Sequence, residues 1–315
     1  MPTEAEQTKV LFIGGSGRSG STLLDRVLGQ FNGIVSTGEL RNIWDSGFAP
    51  NQLCSCGAKL RQCEFWSAVI CHEFGGFNHV NLEGIISLKH AVAERAHLPL
   101  LAFRQMRSRQ YQSKLEAYCD VFSRLYSAIK QISGARVIVD SSSHPCHGLM
   151  LNEVRNVDCY IVHLVRDSRA VAYSRLRKKR RLGIYWKEEY MPQSSALEAA
   201  VKWDLANIFT EYLQCMNDRY LRIRYEDFIR NPQEQLGKIG EHLGEELSGL
   251  YLISGGAINL TQTHTALGNP SKFQRGQTEL RLDNEWIESM RGTHKAIVTA
   301  LTWPLLVRYG YLGDV

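Results

Sequence analysis

Residues 14–24 read GGSGRSGSTLL and follow a short apolar run, VLFI, at 10–13. Glycine and serine at this density after a strand-like run let backbone N–H groups turn toward one point. The start of the next helix adds the positive end of its dipole. Ser19, Ser21 and Thr22 contribute hydroxyl donors, so the loop is suited to an anion. Gly15 and Gly20 have the spacing of a nucleotide-phosphate loop, but Ser21 stands where that loop carries its lysine. This disfavours an ATP or GTP hydrolase. Gly15, Gly17 and Gly20 also match a dinucleotide fingerprint. The acidic residue expected about 20 residues on is not convincing, because Glu39 lies in STGELRNIW, which reads as a loop. Arg18, inside the glycine loop, points to another anion. A guanidinium forks onto two oxygens and stays charged at every relevant pH, and a phosphate–sulfate anhydride presents such oxygens.

A loop of this kind works at the carboxyl end of a parallel strand. VLFI (10–13), ARVIVD (135–140), CYIVHLV (159–165) and YLRIRY (220–225) read as buried strands. Helical patterns follow them at 21–31, about 145–155, about 168–181 and about 232–243. Alternation of this kind predicts an α/β fold, a P-loop-like parallel sheet flanked by helices on both faces. Residues 81–131 break the rhythm with two helical stretches around Pro99. They are expected as a helical cap inserted within a single domain spanning 1–315. The alternative is that they extend the core.

Composition sets broad bounds. The chain has 315 residues, 44% hydrophobic and 22% charged, which suits an ordinary globular protein. A net charge of +5 fits an anionic ligand and is too weak to indicate nucleic acid. The polar start MPTEAEQTK is unlike a signal peptide, and no run of 18 apolar residues occurs. A cytoplasmic protein with no membrane span is expected. Of eight cysteines, Cys54, Cys56 and Cys63 cluster. They could bind zinc with a fourth ligand from Cys71 or His72. The plainer reading is free or paired thiols bracing a loop that ends on Phe65-Trp66, and no metal is expected.

Four stretches together resemble the sulfotransferase family that uses 3′-phosphoadenosine-5′-phosphosulfate (PAPS), in its bacterial branch and, more distantly, the tyrosylprotein sulfotransferases. They are GGSGRSGSTLL (14–24), HLVRDSRAVAYS (163–174), RIRYEDFIRNP (222–232) and HTALGNPSKFQRG (264–276), with LRLDNEW after the last. The resemblance implies a P-loop-like fold and transfer of a sulfuryl group to a hydroxyl or amine of a small-molecule acceptor, with PAP as product. It assigns Arg18, Ser19, Gly20, Ser21 and Thr22 to the 5′-phosphosulfate. Arg166 and Ser174 fall at the 3′-phosphate, with Lys178 nearby. Tyr225 falls near the adenine, and Lys272, Phe273 and Arg275 in a late covering loop. Gly38-Glu39 matches the position of a general base in the tyrosylprotein branch. Many relatives carry a lysine where this chain has Ser143, which leaves His144 or His147 as candidates to supply charge or a proton. The basic run RLRKKRR (175–181) reads as a solvated helix end that also attracts the anion. The competing readings are a small-molecule or nucleotide kinase on the same fold, and a non-catalytic nucleotide-binding module.

Overall fold

In β1 (Thr8–Gly14) alternate residues serve opposite faces of the central sheet. Val10 and Phe12 enter one buried cluster, Leu11 and Ile13 another. The computed structural model describes residues 7–247, 253–254 and 256–312. Its main sheet joins β1 with β2 (Ile34–Gly38), β3 (Val137–Asp140), β4 (Val157–Val165) and β5 (Tyr220–Arg224). The strands are all parallel, in the order β2-β3-β1-β4-β5. β1 is central, and Phe12 lies in register with both Asp140 and Ile161. The glycine loop therefore opens at the middle of the sheet edge, between the ends of β3 and β4.

STGELRNIW (36–44) reads as a loop, yet its first three residues close β2, whose sequence IVSTG puts hydroxyls where apolar side chains are expected. Both hydroxyls are buried and paired. Ser36 Oγ lies 2.9 Å from Thr265 Oγ1, and Thr37 Oγ1 donates to the Val139 carbonyl at 2.6 Å.

Helix α1 (Ser21–Leu28) links β1 to β2. Between β2 and β3 lie α2 (Glu64–Phe74), α3 (Leu82–Val92), α4 (Leu98–Ala102) and α5 (Arg109–Ser133). Helix α6 (Pro145–Leu151) precedes β4; α7 (Ser168–Leu176) and α8 (Ala196–Tyr212) precede β5. Helices α9 (Tyr225–Arg230) and α10 (Pro232–Leu243) follow β5. A small antiparallel sheet of β6 (Ile253–Ser254), β7 (Ala257–Leu260) and β8 (Gly276–Glu279) comes next, then α11 (Glu285–Ser289) and α12 (Gly292–Arg308). The P-loop-like α/β fold expected from the sequence is the one observed. No described helix is long and apolar enough to cross a membrane.

The two sheet faces are covered differently. Leu24, Val27 and Leu28 of α1 join Phe228 of α9 and Leu236 and Ile239 of α10 over Leu11, Ile13, Val139 and Leu164. On the other face α5 lies in the core. Tyr118, Phe122, Leu125, Tyr126 and Ile129 are fully buried in one cluster with Val10, Phe12, Ile138 and Ile161. Much of the segment expected as a cap thus forms the second helical layer. A capped start and stop keep α5 whole. Ser108 Oγ accepts from the Tyr111 amide at 3.1 Å, and Gly134 ends the helix in the left-handed region at φ 63°.

Phe122 tests this role. Its ring meets those of Tyr118 and His147 edge-on at 5.2 and 5.0 Å between centroids. Phe122→Ala is expected to cost about 3–5 kcal/mol in urea unfolding, the usual range for emptying an aromatic core site. A loss below about 1 kcal/mol would instead mark α5 as a detachable cover.

Candidate active site

The glycine loop gathers positive charge. Gly20 sits in the left-handed region at φ 93°, where a Cβ would lie 2.5 Å from the Tyr225 ring, so only glycine fits. Arg18 is also left-handed, at φ 79°. Arg166 follows the last residue of β4 and donates from Nη1 to the Arg18 carbonyl at 3.2 Å. Its guanidinium lies 4.7 Å from the Tyr225 ring centre, and Nη2 reaches Asp283 Oδ2 at 3.3 Å. Arg175, in the last turn of α7, donates to the Gly17 carbonyl at 3.1 Å. Burial and the charge of Arg18 bring its pKa down to about 10. Lys179 is lowered by burial and by Arg18, Arg177 and Arg166.

Among the described residues, Arg18 Nη1, Ser19 Oγ, Arg166 Nε and Arg175 Nε are buried without a hydrogen-bond partner. Unpaired buried donors are costly. Several of them beside mutually repelling cations form a site that an anion would complete.

The other loop and basic-run residues are placed as follows. Ser21 is buried at the start of α1, and Thr22 Oγ1 accepts from the Asn269 amide at 3.2 Å. Ser174 is half-buried in α7 beside Arg175. The basic run is solvated over 177–180, but only its first two residues are helical, because α7 stops at Leu176 and Arg177 is extended. Its members then diverge. Lys178 Nζ lies 3.9 Å from the Tyr190 ring centre, Arg177 pairs with Glu285, and Arg181 pairs with Glu189 at 2.6 Å. Arg175, which sequence reasoning did not single out, donates to the loop, and Lys179 feels the charge of Arg18. Where the helix ended decided this, and no local pattern announces that end.

Glu39 stands at the carboxyl end of β2. Gly38 is left-handed at φ 82°, and a Cβ there would lie 2.2 Å from the Leu267 carbonyl. That contact exists because residues 265–267 cross the strand end. The Ala266 amide donates to the Thr37 carbonyl at 2.9 Å, and the Glu39 amide to the Leu267 carbonyl at 3.2 Å. Glu39 lines a cavity of about 210 Å³ together with Asn42, Gln52, Arg181, Met191, Lys272 and Phe273. Burial raises its pKa; Asn42, Lys272 and Arg18 oppose the rise. Lys272 is buried and donates to the Leu53 and Ala266 carbonyls at 2.7 and 2.6 Å. Burial lowers it to about 8, against the pull of Cys54 and Glu39. Its ammonium lies 4.9 Å from the Phe273 ring centre. Arg275 is directed elsewhere, to the Ser55 and Cys56 carbonyls at 3.2 and 3.1 Å. Arg26, unmarked in the sequence, ties α1 to this late segment through the carbonyls of Ser271, Gln274 and Thr261.

The carboxyl ends of β1, β2 and β4 thus supply the glycine loop, Glu39 and Arg166. A family model described as the sulfotransferase family matches residues 11–249, and so takes in all three. The chain belongs to the sulfotransferase family. No curated protein matches it. Among solved structures it is similar to the sulfotransferase domain from the curacin biosynthetic pathway, at 16% identity and TM-score 0.53, covering 96% of this chain and 98% of that one. It is also similar to the sulfotransferase domain of the olefin synthase of Synechococcus PCC 7002, at 19% identity and TM-score 0.49, covering 96% of each.

In this sulfotransferase the end of β3 carries a buried network. Asp140 accepts from Tyr126 Oη at 2.6 Å and the Ser142 amide at 2.9 Å, and lies 2.8 Å from His147 Nε2. Burial alone would raise Asp140, but His147, Ser142 and Tyr126 bring it below its ordinary value. Ser143 is left-handed at φ 53°, with its hydroxyl on the Ser141 carbonyl at 3.1 Å. It brings no charge. His144 precedes α6 as its N-cap, with Nδ1 3.3 Å from the Cys146 amide and Nε2 3.4 Å from Arg95 Nε. Burial, Arg41 and Arg95 push its pKa well down, so it stays neutral. The structure therefore places His144 as a helix cap. The shift disfavours positive charge on His144, one of the two parts, charge or a proton, considered for it in the sequence.

Asp25, one turn into α1, is fully buried. Its Oδ2 accepts from Ser141 Oγ at 3.3 Å, and its Oδ1 has no partner among the described residues. Burial, with Asp140 nearby, raises its pKa to about 8 despite the hydroxyls of Ser36 and Ser141. In the unfolded chain an aspartate titrates near 3.9. Between these values folding takes up a proton, so stability falls as pH rises, by up to about 1.4 kcal/mol per pH unit. Asp25→Asn is expected to flatten that fall and to be more stable than the parent at pH 8. Parallel stability curves in denaturant unfolding from pH 5 to 8 would show that Asp25 is ionised in the native state.

Proposed function

We propose that this sulfotransferase moves a sulfuryl group from PAPS to a hydroxyl or amine of a small-molecule acceptor, releasing PAP, with Glu39 as general base. The observation that carries the reading is the set of unpaired buried donors on Arg18, Ser19, Arg166 and Arg175 around one loop. These fit an anion-rich donor. Arg18, Ser19, Gly20, Ser21 and Thr22 would hold its 5′-phosphosulfate. Arg166 and Ser174 would hold its 3′-phosphate, with Arg175, Lys178 and Lys179 adding charge. Tyr225 and Phe273 are the aromatic surfaces on offer to the base. PAPS supplies an activated sulfuryl group when bound.

The chain's own part is positioning and charge. Sulfuryl transfer, like phosphoryl transfer, gains mainly from aligning the acceptor and stabilising charge on oxygens. Arg18 bears on both sides, since its guanidinium lies in the loop and interacts with Glu39. Burial brings Glu39 toward the range where a carboxylate is an effective base near neutral pH. The cavity beside it is small, and residues 181–183 and 191–192 wall it, whereas its described lining includes none of 81–131. The acceptor group would enter there.

Thermal unfolding with adenosine 3′,5′-bisphosphate, with ATP and Mg²⁺, and with neither tests the donor. The bisphosphate at 100 times its dissociation constant is expected to add about 2.7 kcal/mol, and Arg166→Ala to abolish the gain. Stabilisation by ATP and Mg²⁺ alone would support the kinase reading instead. Glu39→Gln is expected to keep the bisphosphate shift while kcat with PAPS falls about 10²–10⁴-fold. Unchanged turnover would remove Glu39 from the chemistry. Bisphosphate binding without transfer to any acceptor in a broad screen would leave a binding module.

A further inference from the structure

Outside the site just described, the fold brings a remote histidine to the three clustered cysteines. Cys54, Cys56 and Cys63 meet His264, more than two hundred residues later, with all four ligand atoms within 4.8 Å of one another. Cys63 Sγ lies 3.7 Å from both Cys54 Sγ and Cys56 Sγ, and 3.2 Å from His264 Nδ1. The fourth neighbour is thus His264. Cys71, a candidate on sequence, is exposed on α2.

These distances match a tetrahedral metal site. A zinc ion with sulfurs at about 2.3 Å sets tetrahedral edges of about 3.8 Å between sulfurs, and somewhat less from sulfur to nitrogen. A disulfide would join two of the sulfurs and leave the third thiol and the imidazole unexplained. We propose that Cys54, Cys56, Cys63 and His264 bind one structural Zn²⁺.

The surroundings suit that ion. Four protein ligands leave no open position, which is the structural rather than the catalytic arrangement. Three thiolates and a neutral imidazole around Zn²⁺ carry one net negative charge, and binding displaces the thiol protons. Arg275 lies alongside, its guanidinium on the Ser55 and Cys56 carbonyls. The imidazole is fixed from outside. Phe65 stacks on it with 5.3 Å between ring centres, and Trp66 Nε1 donates to the His264 carbonyl at 2.8 Å. Gly57, left-handed at φ 95°, makes the turn in which its amide returns to the Cys54 carbonyl at 2.9 Å.

The consequence is a staple. The ion joins the 54–63 loop to the start of the late segment, which crosses the end of β2 and carries Lys272 to the Glu39 cavity. Lys272 itself spans the same two segments through Leu53 and Ala266. Zinc would hold residues 264–276 in place without touching the reacting groups.

The test uses the full chain purified without chelator. Metal analysis is expected to give about one zinc per chain, lost in Cys63→Ser and in His264→Ala but kept in Cys71→Ser. Because a ligand variant can fail to fold, the wild-type protein is also titrated with an organomercurial and a zinc-sensitive dye. Zinc should appear as the three thiols react. Replacement by Co²⁺ should give thiolate charge-transfer absorption and tetrahedral visible bands. Removal of the metal should speed hydrogen exchange at 264–276 and leave β1 and β4 protected. A metal-free protein with no cobalt spectrum, or a disulfide among the three cysteines by mass spectrometry, would overturn the site. Unchanged exchange at 264–276 would overturn the staple. Metal content is read without any turnover, so it stands or falls separately from sulfuryl transfer.

Discussion

The mutual repulsion of cations around the glycine loop is the constraint on which the rest of the site depends. Arg18, Arg166 and Arg175 crowd one turn of backbone, with Lys179 near enough to feel Arg18, and burial lowers the pKa of Arg18, Arg175 and Lys179. The protein partly offsets this with its own dipoles. The Gly17 and Arg18 carbonyls take one N–H each from Arg175 and Arg166, and the Tyr225 ring lies against the Arg166 guanidinium. Among the described residues Asp283 alone gives Arg166 a carboxylate contact. What is left over is directed into the loop. A site arranged this way is set up before its ligand arrives, so little reorganisation is needed on binding.

Holding such a loop requires fixed surroundings, and the chain draws them from remote segments. The Tyr225 ring packs so closely on Gly20 that it leaves no room for a Cβ, which ties α9 to the loop. Arg26 fastens α1 to three carbonyls of the late segment, and Thr22 accepts from its Asn269 amide. The same segment passes over Gly38 and fixes the backbone of Glu39. The glycine loop, Glu39 and the late segment are therefore positioned by one continuous set of contacts. A change in any of the three is felt by the other two.

This accounts for what could be read from the sequence and what could not. VLFI and CYIVHLV are apolar enough to announce buried strands, and the glycines between β1 and α1 announce a backbone cradle. The strand at 34–38 escaped because Ser36 and Thr37 satisfy their hydroxyls against Thr265 and Val139, partners that exist only in the folded chain. The role of 109–133 was open for a similar reason. An amphipathic helix shows that it buries a face, not what it buries that face against. Arg175 and Lys179 were hidden inside a basic run whose members separate once the helix ends at Leu176. His264 lies so far along the chain from the cysteines that no local spacing could connect them.

Glu39 and Lys272 show how the scaffold sets chemistry. They share one small cavity, and burial acts on them in opposite senses, raising the acid and lowering the base. Each charge also steadies the other, since Lys272 opposes the rise of Glu39 and Glu39 opposes the fall of Lys272. Burial thus moves the two pKa values toward each other, and the attraction between the charges limits that movement. Ser143 contributes no cation at the end of β3. Positive charge reaches the cavity instead from the late segment, on a lysine fixed by the Leu53 and Ala266 carbonyls. The chemistry of the β2 edge thus depends on a loop that the main sheet alone does not hold.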